Sequence, residues 1–180
     1  MPDNTTFRLK FWGTRGSIAC PGPDTVKYGG NTTCFEVTCG SRRIIIDAGT
    51  GIRALGKKIM LEEGNILDAD IFFTHTHMDH IQGLPFFAPL YNPKNNVRLH
   101  AGHLEPPYDL RGLISTMLMK DPIFPVPSSL IEQACTFNDY NCGQIFEPEE
   151  GIVIRTGKLN HPNGACGYRI EFAGKAIAIC

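Results

Sequence analysis

The run Ile71-Phe72-Phe73-Thr74-His75-Thr76-His77-Met78-Asp79-His80 decides how the rest of the chain is read. Its first three residues are bulky and apolar, the composition of a buried strand. The remainder holds three of the six histidines in the sequence. In extended backbone, side chains two positions apart lie on one side, so His75 and His77 can converge on a single ion. Asp79 continues that spacing, whereas His80 cannot share its face unless the chain turns. A turn into a short helix through Ile81-Gln82-Gly83-Leu84 would aim Asp79 and His80 together at a second position. Two metals are suggested, and imidazole nitrogen with carboxylate oxygen suits zinc, and also manganese or iron. The first position needs a further ligand. His161, in Leu159-Asn160-His161-Pro162-Asn163-Gly164, follows a strand in a loop that proline and glycine favour. His100 and His103 flank Ala101-Gly102 without an acidic or histidine partner nearby in sequence, and read as structural.

Working outward, Phe7 to Trp12 alternates apolar with basic residues and predicts a half-buried strand. A loop rich in glycine and proline runs from Gly13 to Asn31. Cys34 to Cys39 and Arg42 to Asp47 predict a hairpin around Gly40-Ser41, and Ile44-Ile45-Ile46 predicts a strand covered on both faces. Thr50 to Glu62 has helical spacing, with Gly64 as its stop. Strands follow at Ala69 to Thr74 and Val97 to Ala101. From Tyr108 to Lys120, Leu110, Leu113, Ile114, Met117 and Leu118 share one helical face. Asp121 to Ser129 is a loop, and Gly151 to Gly157, Cys166 to Phe172 and Lys175 to Cys180 are late strands. Hairpins followed by alternating strands and helices, with no repeat, predict an α/β sandwich in one domain spanning residues 1–180. Cys180 falls inside Ala176-Ile177-Ala178-Ile179-Cys180, which reads as the middle of a strand, so the domain is expected to be incomplete.

Composition narrows the function. Seventeen lysines plus arginines against 18 acidic residues give a net charge of −1, so bulk positive charge does not indicate nucleic acid as a partner. No run approaches the roughly 20 apolar residues that span a bilayer. The N-terminus lacks a signal pattern, and the seven cysteines form no Cys-x-x-Cys pair, which predicts reduced thiols and a cytoplasmic location.

The order Gly13-Thr14-Arg15-Gly16-Ser17, Gly29-Gly30-Asn31-Thr32-Thr33-Cys34, Asp47-Ala48-Gly49, the His-x-His-x-Asp-His run, Asn160-His161-Pro162 and Gly167-Tyr168-Arg169 resembles the metallo-β-lactamase fold superfamily over nearly the whole chain. The resemblance is to its phosphodiesterase-like branch, near tRNA 3′-end processing enzymes and cyclic-nucleotide phosphodiesterases. It implies an αββα sandwich with the C-terminal part of the second half missing. It also implies a first metal on His75, His77 and His161, and a second on Asp79 and His80. Such families add a bridging aspartate and a final histidine further along, beyond Cys180.

The implied activity is a metal-dependent hydrolase of phosphodiester bonds, with one or two Zn²⁺ ions, or manganese or iron, and a small-molecule or nucleotide substrate. A bound divalent metal lowers the pKa of water from about 15.7 toward about 7 and polarises the substrate oxygen. Asp79 would orient the attacking hydroxide or take its proton, which makes it the candidate catalytic residue. Thioester or lactam hydrolysis uses the same metals and stays open, as does a catalytically silent metal-binding regulatory protein. Should Cys180 be the true end, exposed apolar surface and homo-oligomers are expected.

Other features are two-sided. Asp47 reads either as a carboxylate fixing a ligand histidine or as a cap for the next helix. Gly13-Thr14-Arg15-Gly16-Ser17 reads as a phosphate cradle or a plain turn, and Asn31-Thr32-Thr33 as site floor or turn. Phe124-Pro125-Val126-Pro127 is a cleft wall or a surface loop, and Met117 and Met119 read as core. Gly51 to Lys58 nearly matches a phosphate-binding loop, but Lys58 stands where magnesium needs a hydroxyl, and Ile-Arg-Ala-Leu favours helix.

Overall fold

Alternation and one tight turn build the first three strands. β1 (Phe7–Gly13) pairs antiparallel with β2 (Cys34–Cys39), and β2 with β3 (Arg42–Ile46). Between them Gly40 takes φ +59°, a conformation that costs other residues about 1–2 kcal/mol. Beyond β3 the pairing becomes parallel. β4 (Asp68–Phe73), β5 (Asn96–Ala101) and β6 (Cys135–Asp139) complete a six-stranded sheet in the order β1-β2-β3-β4-β5-β6. Helix α1 (Gly51–Met60) lies between β3 and β4 in the chain, as a parallel crossover requires. The computed structural model describes residues 5–62 and 66–180, so the polar residues 1–4 and the helix stop expected at Gly64 lie outside the described residues.

Ile44-Ile45-Ile46 is covered on both faces, as its composition predicts. Ile45 packs in a cluster with Ile52, Leu55 and Ile59 of α1, whereas Ile44 and Ile46 join Phe72, Ile154, Tyr168 and Ile170. Each of the three is fully buried, and each such isoleucine contributes roughly 1.5–3 kcal/mol. The second cluster is the contact with a four-stranded antiparallel sheet, ordered β10-β9-β8-β7. Its strands are β7 (Ile145–Glu149), β8 (Ile152–Leu159), β9 (Ala165–Phe172) and β10 (Lys175–Ile179). Helix, sheet and sheet are three of the four layers in the expected αββα sandwich. The fourth, on the outer face of the second sheet, is not formed by the described residues.

Three expectations change. Two strands, β6 and β7, were invisible in the sequence: Cys-Thr-Phe-Asn-Asp carries weak strand propensity, and Ile-Phe-Glu-Pro-Glu contains a proline. Both are edge strands, and edges tolerate such residues. The helix expected over Tyr108 to Lys120 is a short α3 (Leu110–Leu113), with Asp109 accepting from the Gly112 amide, that widens into a π-type turn over Ile114–Leu118. Its apolar stripe therefore splits. Leu110, Ile114 and Leu118 enter the core, while Met117 is 57% exposed rather than core; Met119 is buried as expected. Lastly, His100 does have an acidic partner, because Asp70 on the neighbouring strand lies 3.0 Å from its Nε2. Arg42 and Arg98 close on the same carboxylate, and His100 stacks on Phe72. Burial works against the Asp70 carboxylate, but hydrogen bonds from His100, Arg98 and Arg42 prevail and hold its pKa well below the usual range. His100 is structural.

Candidate metal centre

The site forms at the carboxyl ends of the parallel strands, where open α/β sheets place their ligands. β4 ends at Phe73, and Thr74 follows it with its carbonyl accepting from the Cys166 amide of β9 at 2.7 Å. Extended backbone persists to His77 (φ −63°, ψ 153°), and helix α2 (Met78–Ile81) starts immediately after it. The turn thus comes three residues earlier than the expected helix at Ile81. It still does what the sequence asked of it, separating two histidines on extended chain from an Asp-His pair on helix. Backbone must pass very close here. A β-carbon on Gly49 would meet the Asp79 carbonyl at 2.3 Å, and one on Gly83 would meet the Gly49 carbonyl at 2.1 Å, so only glycine fits either position.

The structure brings the rings of His75, His77 and His161 together across the two sheets. One nitrogen of each lies within 4.8 Å of the others. His75 Nε2 is 3.1 Å and His161 Nε2 is 3.3 Å from His77 Nδ1. Nitrogens each about 2.0–2.1 Å from one tetrahedral cation stand about 3.3–3.4 Å apart, so the donor set fits zinc in chemistry and in spacing. His75 is half-buried, and His77 and His161 are exposed, leaving the open side that a catalytic cation needs. Burial, then the neighbouring imidazoles His80, His161 and His77, push the His75 pKa down to about 3, so its ring is neutral at physiological pH.

Asp79 and His80 form the second part. Asp79 Oδ2 lies 3.4 Å from His80 Nε2 and accepts the Ser17 amide at 2.7 Å. His80 Nδ1 meets Asp47 Oδ2 at 2.8 Å. Burial lowers the His80 pKa, but the Asp47 hydrogen bond and charge outweigh that and raise it. Of the two readings for Asp47, the structure selects the one that fixes a histidine. Its side chain also accepts from Thr74, and α1 has no side-chain cap. At φ +62° Asp47 occupies the left-handed region, which aspartate tolerates better than most residues.

The Gly13 to Ser17 loop contributes through backbone, not through its arginine. Arg15 Nε donates to the Gly29 carbonyl at 2.9 Å, which ties the guanidinium into its own loop. Asn31-Thr32-Thr33 acts as a brace. The Thr32 amide donates to Thr50 Oγ1 and the Thr50 amide to Thr32 Oγ1, both at 2.8 Å. Gly51 to Lys58 is helix, as its composition favours. Phe124 packs edge-on against Phe86 and against the core cluster that holds Ile45, and it does not line the cleft beside His161.

A cleft of about 1240 Å³ opens from His161 and Thr76, lined further along by His103, Tyr108, Met117 and Lys158. His103 is buried, with Nε2 at 3.0 Å from Thr76 Oγ1, and burial followed by His77 lowers its pKa to about 4. Sequence reading gave no role of their own to Thr74 or Thr76, and took the loop of Ser17 as a phosphate cradle or a turn, not as a partner of Asp79. Thr74 and Thr76 alternate with the histidines, a signal that was available; Ser17 meets Asp79 through its backbone amide, a pairing with no side-chain signal. All seven cysteines are free thiols.

A family model described as the beta-lactamase superfamily domain matches residues 42–180. A ribonuclease Z from Clostridium acetobutylicum is 29% identical over 142 residues, covering 78% of this chain and 44% of that protein. The chain thus spans less than half the length of that relative. Among solved structures, Zn²⁺-bound PqqB from Methylobacterium extorquens aligns with TM-score 0.63 at 17% identity, covering 94% of this chain and 61% of that one. The short form of human tRNase Z aligns with TM-score 0.61 at 20% identity, covering 95% and 67%. These likenesses show the fold.

Proposed function

The chain belongs to the beta-lactamase superfamily, and from that premise we propose that residues 1–180 are one domain of a metal-dependent hydrolase of phosphodiester bonds. The observation that carries this reading is the convergence of His75, His77 and His161 nitrogens within 4.8 Å. The ribonuclease Z relatives support a phosphodiester in a nucleotide or RNA as the substrate. His75, His77 and His161 would hold one divalent cation, Zn²⁺ first and Mn²⁺ or Fe otherwise, and Asp79 and His80 would face a second. A divalent cation there supplies Lewis acidity and brings water within reach of deprotonation near neutral pH.

The chain's own residues do the rest. His75 keeps a free lone pair, because burial and its neighbours hold it neutral. Asp47 holds His80 by Nδ1 and leaves Nε2 facing the site. Asp79, buried and steadied by the Ser17 amide, presents a carboxylate that accepts the proton of the attacking water. The cleft beside His161 receives one arm of the substrate. The free thiols support a reducing compartment, the cytoplasm.

Metal content of the isolated protein and its hydrolysis of bis(p-nitrophenyl) phosphate test the proposal. Bound zinc, and turnover that a chelator abolishes and zinc or manganese restores, is the expected result. Protein that carries no metal, and stays inactive with either ion, overturns it.

A further inference from the structure

The Thr74 hydroxyl is buried and has four polar neighbours. Asp47 Oδ2 and Oδ1 lie at 2.9 and 3.0 Å, His75 Nδ1 at 3.1 Å and His80 Nδ1 at 3.2 Å. A hydroxyl has one proton to give and two lone pairs to receive. An ionised carboxylate accepts more strongly than a neutral imidazole, so the proton goes to Asp47. The facing atom of His75 must then be a donor, since two acceptors opposed at 3.1 Å in a buried site would each lose a hydrogen bond. His80 Nδ1, closer to Asp47 at 2.8 Å than to Thr74, donates to the carboxylate.

We propose that Thr74 is a positioning residue that extends the reach of Asp47 from His80 to His75: His75 Nδ1–H donates to Thr74 Oγ1, and Thr74 Oγ1–H donates to Asp47. One buried carboxylate thereby directs a ring in each half of the site. With the proton held on Nδ1, the lone pair of His75 sits on Nε2, the atom that faces His77 Nδ1 at 3.1 Å and shares its space with His161. The opposite tautomer would put a proton where the three nitrogens meet. The inference rests on the three-histidine reading of the site, but it concerns where a proton lies in the protein without metal.

The test is nitrogen-15 NMR of the histidine rings in metal-free protein at neutral pH, on wild type, Thr74→Ser and Thr74→Val. In wild type and in T74S, His75 is expected with its proton on Nδ1 and a pyridine-type signal at Nε2. In T74V, which keeps the shape and loses the hydroxyl, the Nε2–H form is expected to appear. Zinc affinity from chelator competition is expected to fall about 10–100-fold in T74V and to stay within about threefold in T74S, the scale seen when a ligand's outer hydrogen-bond partner is removed. A wild-type His75 protonated on Nε2 overturns the proposal even if T74V fails to fold. So does a T74S protein as impaired as T74V, or a folded T74V that keeps the Nδ1–H form. If wild type binds no zinc, the metal reading fails while the tautomer result still decides the role of Thr74.

Discussion

The two halves of the site are held in opposite ways. The outer half, His75, His77 and His161, consists of rings from two sheets, with two of the three exposed and, among the described residues, no carboxylate bonded to any of them. The inner half, Asp79 and His80, sits on the first turn of α2 and is fastened by Asp47, by the Ser17 amide and by backbone packed too closely for any residue but glycine at 49 and 83. Protons divide along the same line. Burial and mutual repulsion lower the pKa of His75 to about 3 and of His103, just beneath the outer rings, to about 4, whereas Asp47 raises that of His80. In the outer half His75 is kept neutral with a lone pair to offer, and the inner half is anchored to a buried carboxylate.

Removing a ring from the outer half gives the largest effect. A structural zinc site is worth about 10–16 kcal/mol over four donors, so one donor accounts for about 2.5–4 kcal/mol, or on the order of a hundredfold to a thousandfold in affinity. His161→Ala should lose zinc affinity by that factor in a chelator titration, yet shift the denaturation midpoint little, because the ring is exposed. A matching loss of stability would show that His161 is structural, and would break the contrast between the halves.

Acid should act next. In metal-free protein His103 has a folded pKa near 4 against an ordinary value of 6.5. Between those values the unfolded chain binds a proton that the folded one refuses, so stability present above pH 6.5 falls as pH drops toward 4. The loss is on the order of 3 kcal/mol at most. His80 has the opposite sign: its raised pKa adds stability below about pH 6.5 that is lost as pH rises through the folded value. His75, with a folded pKa of about 3, acts with the same sign, so urea melts between pH 7 and 4 should show a steep loss that becomes shallower, without vanishing, in His103→Gln. An equally steep profile in that variant would remove His103 from the account.

The inner half offers the smallest effect. Asp47→Asn keeps a residue that tolerates φ +62° but removes the charge beneath His80. We expect about 10–100-fold weaker binding of a second equivalent of Mn²⁺ or Zn²⁺, with the first equivalent less affected. Calorimetric titration reads both. Equal losses at both positions would show that Asp47 serves the two halves alike and would break the contrast between them.

Much was legible beforehand because it is local. Alternation, the three consecutive isoleucines and the Gly40-Ser41 turn fix β1 to β3 from neighbouring residues alone. The two-residue spacing of His75 and His77 fixes their shared side just as locally, and the change of backbone after them separates the Asp79 and His80 pair. What escaped notice depends on partners far along the chain. β6 and β7 exist because a sheet edge accepts what their own propensities would refuse. Met117 left the core because the helix widens at Ile114. The amide of Ser17, 62 positions from Asp79, carries no side-chain signal at all.

The sequence by itself therefore determined which atoms could bind a cation and on which side of a strand each pair of them lies, since two-residue periodicity is a property of the backbone. Only the tertiary structure decided that His161, 84 positions from His77, closes the ring cluster, and that Asp47 holds the inner histidine while Thr74 lies between Asp47 and His75. Those contacts arise where one sheet packs on another, and the burial that packing imposes is what moves the protons.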